Sequence, residues 1–241
     1  MSAAVTTRLT TPLRIAVTGT DTGVGKTVVS CALVAALRAR GLVARAMKPV
    51  ETGVTDRAGD TDAARLRRAA GDVDAWDDVC PVIYEEPLAP MVAAQRAGRP
   101  LDPARLDAAA ARLGQGADAL IVEGAGGLLV PFTRTLTLAG LATHWGLELV
   151  VVAANRLGVL NHTLLTVHEA RRRGLRVRAV VLNDAAEAPG GVAESTNAEA
   201  LRALLDGVPL VTMGRLDRVA REDPARLAAA GAPLAALLVP P

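Results

Sequence analysis

The chain has 241 residues with 27 basic and 25 acidic side chains, a balance that removes the electrostatic case for nucleic acid or an anionic membrane as partner. Aromatic residues make up 2%, too few to stack bases along a single strand, and no apolar run approaches the ~18 residues of a membrane span. The length suits one α/β domain with a large core, and the two cysteines, Cys31 and Cys80, form neither a disulfide framework nor a CxxC pair, which suits a reducing cytoplasm.

Met1–Pro12 lacks the apolar centre and cleavage site of a signal peptide and reads as a loose tail ahead of a single domain over 13–241. Leu13–Val17 is a short branched apolar run, as expected of a strand buried on both faces. It opens LRIAVTGTDTGVGKT, in which Gly19, Gly23 and Gly25 let the backbone bend and approach an anion. Thr20 stands where the standard phosphate loop has its first glycine, so this is a variant of that loop. Val28–Arg40 repeats apolar residues at helical spacing, with Cys31 on the apolar face, and Gly41 stops it. Residues 43–48 predict a strand ending at Lys48, 50–60 a loop, and 61–70 a helix. Region 71–118 is punctuated by proline and holds a helix from Pro103 to about Leu113. Strands follow at 119–123, 147–154, 176–182 and 208–213, with helices at 135–145, 160–173, 195–206 and 224–230 and an apolar tail that docks on the body. Arg171–Arg173 marks a helix end, where cations suit the macrodipole. Strands alternating with helices predict a parallel sheet covered on both faces.

In such sheets ligands bind at the carboxyl ends of strands. Lys26, Lys48, Glu123, Asn155 and Asn183 all follow strands. Backbone N–H groups of the glycine loop cradle phosphate, Lys26 reaches the terminal phosphates, and the Thr27 hydroxyl suits Mg2+. Glu123, followed by Gly124, Gly126 and Gly127, is a natural metal ligand or water-holder. Asp60 and Asp62 suit either a helix N-cap or the metal sphere, Asp60 the cap. Lys26 and Lys48 are the only two lysines beside 25 arginines, so a compact point charge is kept at two places, both at the expected site. A second lysine answers a second anion, a transferring phosphoryl or an acyl oxygen. Asn183 offers an amide that reads an adenine edge or simply closes a turn. His144, His162 and His168 lack metal-ligand spacing and read as structural or surface residues.

TGTDTGVGKT at 18–27, KPVETG at 48–53, VEGAGGLLVP at 122–131, LGVLNHTLLT at 157–166 and LND at 182–184 occur in order. Together they resemble the dethiobiotin synthetase family. The resemblance implies a homodimer of single P-loop NTPase-like domains, each an α/β parallel sheet of about seven strands with helices on both faces. It implies 7,8-diaminopelargonate, CO2 and ATP as substrates and Mg2+ as cofactor. Lys26 and Lys48 would be catalytic. Thr27, Asp62 and Glu123 would hold the metal, Asp62 being preferred to Asp60 because DAARL follows it. Nucleotide contacts would come from Gly23, Val24, Gly25, Lys26, Thr27, Val28, Asp62, Glu123, Gly124, Ala125, Gly126, Asn183, Asp184 and Asp217. Thr52 would touch the diamine or its carbamate. Gly158, Val159 and Asn161 would bind the substrate carboxylate across the dimer interface.

Three other readings compete, one of them a fused-type ligand-sensing domain that has kept the fold and lost catalysis, against which the intact Lys26, Thr27, Lys48 and Glu123 argue. A cobyrinate-type synthetase carries a glutaminase domain, for which this chain is too short and neither cysteine is placed as a nucleophile. A ParA- or MinD-like ATPase switch carries an extra lysine early in its phosphate loop, where this chain has Gly19-Thr20-Asp21-Thr22.

Overall fold

The computed structural model describes residues 9–57, 59–184 and 191–240. In chain order β1 (Leu13–Gly19) leads through the glycine loop into α1 (Lys26–Ala39), then β2 (Ala44–Met47), β3 (Val50–Thr52) and α2 (Asp62–Ala69). Next come α3 (Trp76–Val79), β4 (Val82–Tyr84), α4 (Pro90–Arg96), α5 (Pro103–Gly114), β5 (Ala119–Gly127) and α6 (Leu138–His144). The chain closes with β6 (Glu148–Ala154), α7 (Val159–Arg172), β7 (Val177–Asn183), α8 (Val192–Leu204), β8 (Leu210–Met213), α9 (Arg218–Glu222) and α10 (Pro224–Leu238).

Six strands form one parallel sheet in the order β2-β5-β1-β6-β7-β8. The period of two divides its side chains cleanly between faces. Ile15, Val17, Ile121, Val150, Val152 and Val181 pack under α1, α2 and α10. Ala16, Leu120, Val122, Val151, Val180 and Leu182 pack on the other face with Leu106 of α5, Leu138 of α6, Val167 of α7 and Leu201 of α8. The centres of β1, β5, β6 and β7 are therefore apolar on both faces, as a sheet covered on both sides requires, while Arg14, Arg45, Glu148 and Arg178 sit toward the amino ends of their strands. Successive connections run to one side of β1 and then to the other, so the direction reverses there and opens a crevice at its carboxyl end.

Several expectations change. Val50–Thr52 is a strand where a loop is expected: it pairs parallel with β4 in a separate two-stranded sheet, Val50 opposite Val82. Among the described residues there are thus six strands in the main sheet and two beside it, against about seven in one sheet. Asp60 does not cap α2. Thr61 does, accepting from the Ala64 amide at 3.1 Å, while Asp60 is taken by Arg65 at 2.6 Å and Arg68 at 3.1 Å. The small helix expected at 224–230 continues through Pro233 to Leu238. The apolar tail does dock, burying Leu227, Leu234 and Leu238 against α1. There Gly231 lies so close to α1 that a Cβ would fall 2.0 Å from the Ala32 carbonyl oxygen. Arg40 then donates to the carbonyls of Ala235 at 3.0 Å and Val239 at 2.6 Å, placing a cation at the helix end. Leu9, expected in a loose tail, packs against the same core. Residues 1–8 and the turn expected at Pro189 and Gly190 lie outside the described residues. Among the described residues no helix is long and apolar enough to cross a membrane.

Candidate active site

Strand register brings the key side chains together. Val17 of β1 stands opposite Glu123 of β5, and Met47 of β2 opposite Val122. One step beyond that pairing, Lys48 lies beside Glu123, and the glycine loop departs from the same end of β1. Lys26 opens α1 behind it.

The contacts are short. Lys48 Nζ donates to Glu123 Oε1 at 2.5 Å and to Asp62 Oδ2 at 2.9 Å, with the Gly124 carbonyl at 3.5 Å. Thr27 Oγ1 donates to the same Glu123 oxygen at 2.9 Å. Lys26 Nζ reaches the Asp21 carbonyl at 3.4 Å. Lys26 is 7% exposed, Lys48 4% and Glu123 0%. Burial, followed by the nearby Lys48 charge, pulls the Lys26 ammonium below its ordinary value. Burial acts on Lys48 the same way, but Glu123 and Asp62 outweigh it and hold that ammonium above its ordinary value. Burial would raise Asp62; Lys48 and Thr27 outweigh it and hold that carboxylate low.

The glycine loop is fastened from behind. Asn183, at the end of β7, donates from Nδ2 to the Val24 carbonyl at 2.9 Å. Gly25 takes φ 94° against that amide, where a Cβ would fall 2.1 Å from Asn183 Nδ2, so only glycine fits. The amide expected to read adenine thus gives one N–H to the loop, and Asn183 also lines the cavity beside it. At the front, Asp21 accepts from Arg156 at 2.9 Å, tying the loop to the segment that starts α7.

A cavity of about 610 Å3 opens over this cluster, lined by Gly23, Gly25, Lys26, Thr27, Val28, Lys48, Thr52, Asp62, Ala125, Gly126, Asn183 and Asp184 among the expected residues. That volume suits a nucleotide-sized ligand. Val24 is buried behind the loop, and Gly124 contributes its carbonyl. Asp217 does not line the cavity. It caps α9, accepting from the Ala220 amide at 2.7 Å, and its neighbour Leu216 reaches the wall instead. Gly158, Val159 and Asn161 also lie outside this chain's cavity, at the start of α7, with Val159 buried and Asn161 exposed. Asn155 belongs to a structural knot: it donates to Asp184 at 2.8 Å and accepts from Asn197 at 2.9 Å.

The residues present suit a hard, oxygen-seeking divalent ion. Thr27, Asp62 and Glu123 supply only oxygen donors, and Glu123 Oε2 is buried without a hydrogen-bond partner. Among the described residues no cluster of His, Cys, Asp and Glu forms a complete cage. Mg2+ is one such ion: it takes one or two carboxylates and completes its shell with water and phosphate.

Three contributors escape the sequence reading. Glu51 lines the cavity and is buried, and burial pushes its carboxyl up. Pro87–Pro90 form a wall, and Arg221 reaches in from α9. The proline cluster was the one signal available for the wall.

The AAA domain family profile matches residues 14–224. The ATP-dependent dethiobiotin synthetase BioD of Anaeromyxobacter dehalogenans (strain 2CP-C) is 52% identical over 168 residues, 69% of this chain and 74% of that protein. The BioD of Aromatoleum aromaticum is 40% identical over 224 residues, 92% of this chain and 97% of that one. Among solved structures, the septum site-determining protein MinD of Pyrococcus horikoshii, complexed with Mg-ADP, superposes with a TM-score of 0.53 at 20% identity, covering 95% of this chain and 94% of that one. At that identity the likeness shows the fold. The loop, the paired lysines with their two carboxylates and a relative aligned over nearly its whole length agree: the chain belongs to the ATP-dependent dethiobiotin synthetase family.

Proposed function

We propose that this protein carboxylates 7,8-diaminopelargonate with CO2 and closes the ring to dethiobiotin, converting ATP to ADP and phosphate. One substrate amine adds to CO2 and loses a proton, giving a carbamate. A carbamate oxygen attacks the γ-phosphorus of ATP, releasing ADP and leaving a carbamic–phosphoric anhydride. The second amine attacks the carbonyl carbon, expels phosphate and gives the cyclic urea.

The observation that carries this reading is the meeting of Lys26, Lys48, Asp62 and Glu123 at one rim of the sheet. The nucleotide, the carbamate and the mixed anhydride are all anionic, and catalysis of phosphoryl transfer is mostly positioning and charge stabilisation. Lys26, at the loop, serves the transferring phosphoryl. Lys48, deeper and beside the Gly124 carbonyl, serves the carbamate. Thr27, Asp62 and Glu123 would hold Mg2+, which neutralises phosphate charge when bound. Thr52, at the open end of β3, faces the diamine. The chain is cytoplasmic in this reading, with both cysteines buried and free.

A second copy of the chain completes the site. Leu157 is 85% and Leu165 61% exposed around α7, an apolar face suited to self-association beside Gly158, Val159 and Asn161. The α7 helix start, where Gly158 makes no side-chain cap, would take the substrate carboxylate of the other copy.

The deciding experiment is ATP hydrolysis measured with and without diaminopelargonate and bicarbonate. Dependence on both supports the synthetase. Hydrolysis indifferent to both removes it and favours a MinD-like switch. Mixing a Lys26→Ala protein with an Asn161→Ala protein tests the shared site: random exchange should restore about a quarter of the sites. No recovery places each site within one chain.

A further inference from the structure

We infer that Glu51 is a positioning residue for this reaction: through the backbone at the start of α2 it sets the carboxylate of Asp62 against Lys48 and the metal-facing oxygens. The inference rests on the proposed Mg-nucleotide reading of the site.

Glu51 is the middle residue of β3, 5% exposed, and it points away from its neighbours Val50 and Thr52. After Gly53 the chain makes an excursion and returns to enter α2 at Asp62. Glu51 meets it there. Oε1 accepts from the Asp62 amide at 2.6 Å and Oε2 from the Ala63 amide at 3.1 Å. Both oxygens are thus spent on backbone, and on the very residue whose side chain touches Lys48 Nζ at 2.9 Å. The helix has its own cap as well, but Thr61 reaches only the Ala64 amide. Cap and anchor therefore satisfy different N–H groups of the first turn. The anchor alone fixes the residue that faces the site, because its carboxylate complements both the free amides and the positive helix end.

A merely structural acid would stabilise α2 and nothing more. Without the anchor, the Asp62 and Ala63 amides lose their acceptors and the first turn can recede from Lys48, carrying Asp62 with it. Glu51→Gln keeps the volume and one acceptor but turns an NH2 group toward the second amide. Glu51→Ala removes both acceptors. Thr61→Ala weakens the same helix without touching the Asp62 amide, so it reports what loss of helix stability does by itself.

The test is ADP affinity by isothermal titration of the full chain, with and without Mg2+, for wild type, Glu51→Gln, Glu51→Ala and Thr61→Ala, beside melting temperature and the kcat and KM of the full reaction. Wild type should gain affinity with Mg2+. Glu51→Gln should lose about tenfold of that gain while binding metal-free ADP as wild type does, and kcat should fall more than KM for ATP rises. Thr61→Ala should lower the melting temperature and keep the gain. If Glu51→Ala does not fold, the isosteric Gln variant carries the test. Glu51→Gln with the full Mg2+ gain, or Thr61→Ala with an equal loss, overturns the inference. Absence of any Mg2+ effect in wild type overturns instead the reading on which it rests.

Discussion

Replacing Lys48 by methionine tests the electrostatics of the site directly. The substitution keeps the stem and removes the ammonium that now sits between Glu123 at 2.5 Å and Asp62 at 2.9 Å. The two carboxylates differ in what they lose. Asp62 is 36% exposed in its side chain and recovers part of its solvation, whereas Glu123 is fully buried and keeps only the Thr27 hydroxyl. Removing one partner of a buried pair costs about 3–5 kcal/mol, and relief at Asp62 puts this case near the low end, about 3 kcal/mol. For a chain of this size that is a fall in Tm of about 6–12 °C. A divalent cation can then fill the vacated charge. At ten times its dissociation constant, Mg2+ returns about 1.4 kcal/mol. The assay is thermal unfolding with and without Mg2+, for Lys48→Met and for Lys48→Met with Glu123→Gln. The single variant should be the less stable of the two and should gain more from Mg2+ than wild type does. A single variant as stable as wild type, or a double variant that recovers nothing, would refute the account. Turnover should be lost in both variants.

Gly231→Ala should destabilise the chain by about 2 kcal/mol in urea unfolding, because the new methyl meets the α1 backbone at Ala32, which cannot step aside; the overpacking exceeds the ~1 kcal/mol gained in helix propensity. Unchanged stability would mean the two helices separate freely. Burial pushes both thiols up, Cys80 to about 12, so neither should react with a disulfide reagent at pH 8 faster than the chain unfolds. Rapid labelling of the native protein would contradict that. Leu157→Glu with Leu165→Glu should yield a monomer in sedimentation with ADP affinity kept, since neither residue lines the cavity; a surviving dimer would move the interface elsewhere.

The phosphate loop was legible because its chemistry is dense in sequence: glycines, a lysine and a threonine within a few positions of a buried strand. The strands β5, β6 and β7 were legible because burial on both faces makes their centres short branched runs. The small sheet was not, since β3 and β4 have three residues each, too few for a period, and their pairing depends on segments far apart in the chain. At the start of α2 both Asp60 and Thr61 can cap a helix. The choice falls to Thr61 because Arg65 and Arg68, both later in the helix, claim Asp60. Asn155 looked like a ligand group for the same reason as Asn183, its place after a strand, and only the packing of α8 shows it bound to Asn197. Glu51 lies within KPVETG with no role legible in the sequence, because its partners return to it only after an intervening loop.

The confinement of both lysines to the cavity gives the protein an unusual reactivity profile. Arginine carries the cationic side-chain charge elsewhere, so active esters and aldehydes, which acylate or condense with primary amines, find no lysine on the outer surface. Such reagents would act here as probes of the crevice. The extent of acylation at Lys26, read by mass spectrometry, would report occupancy by a triphosphate without any engineered label.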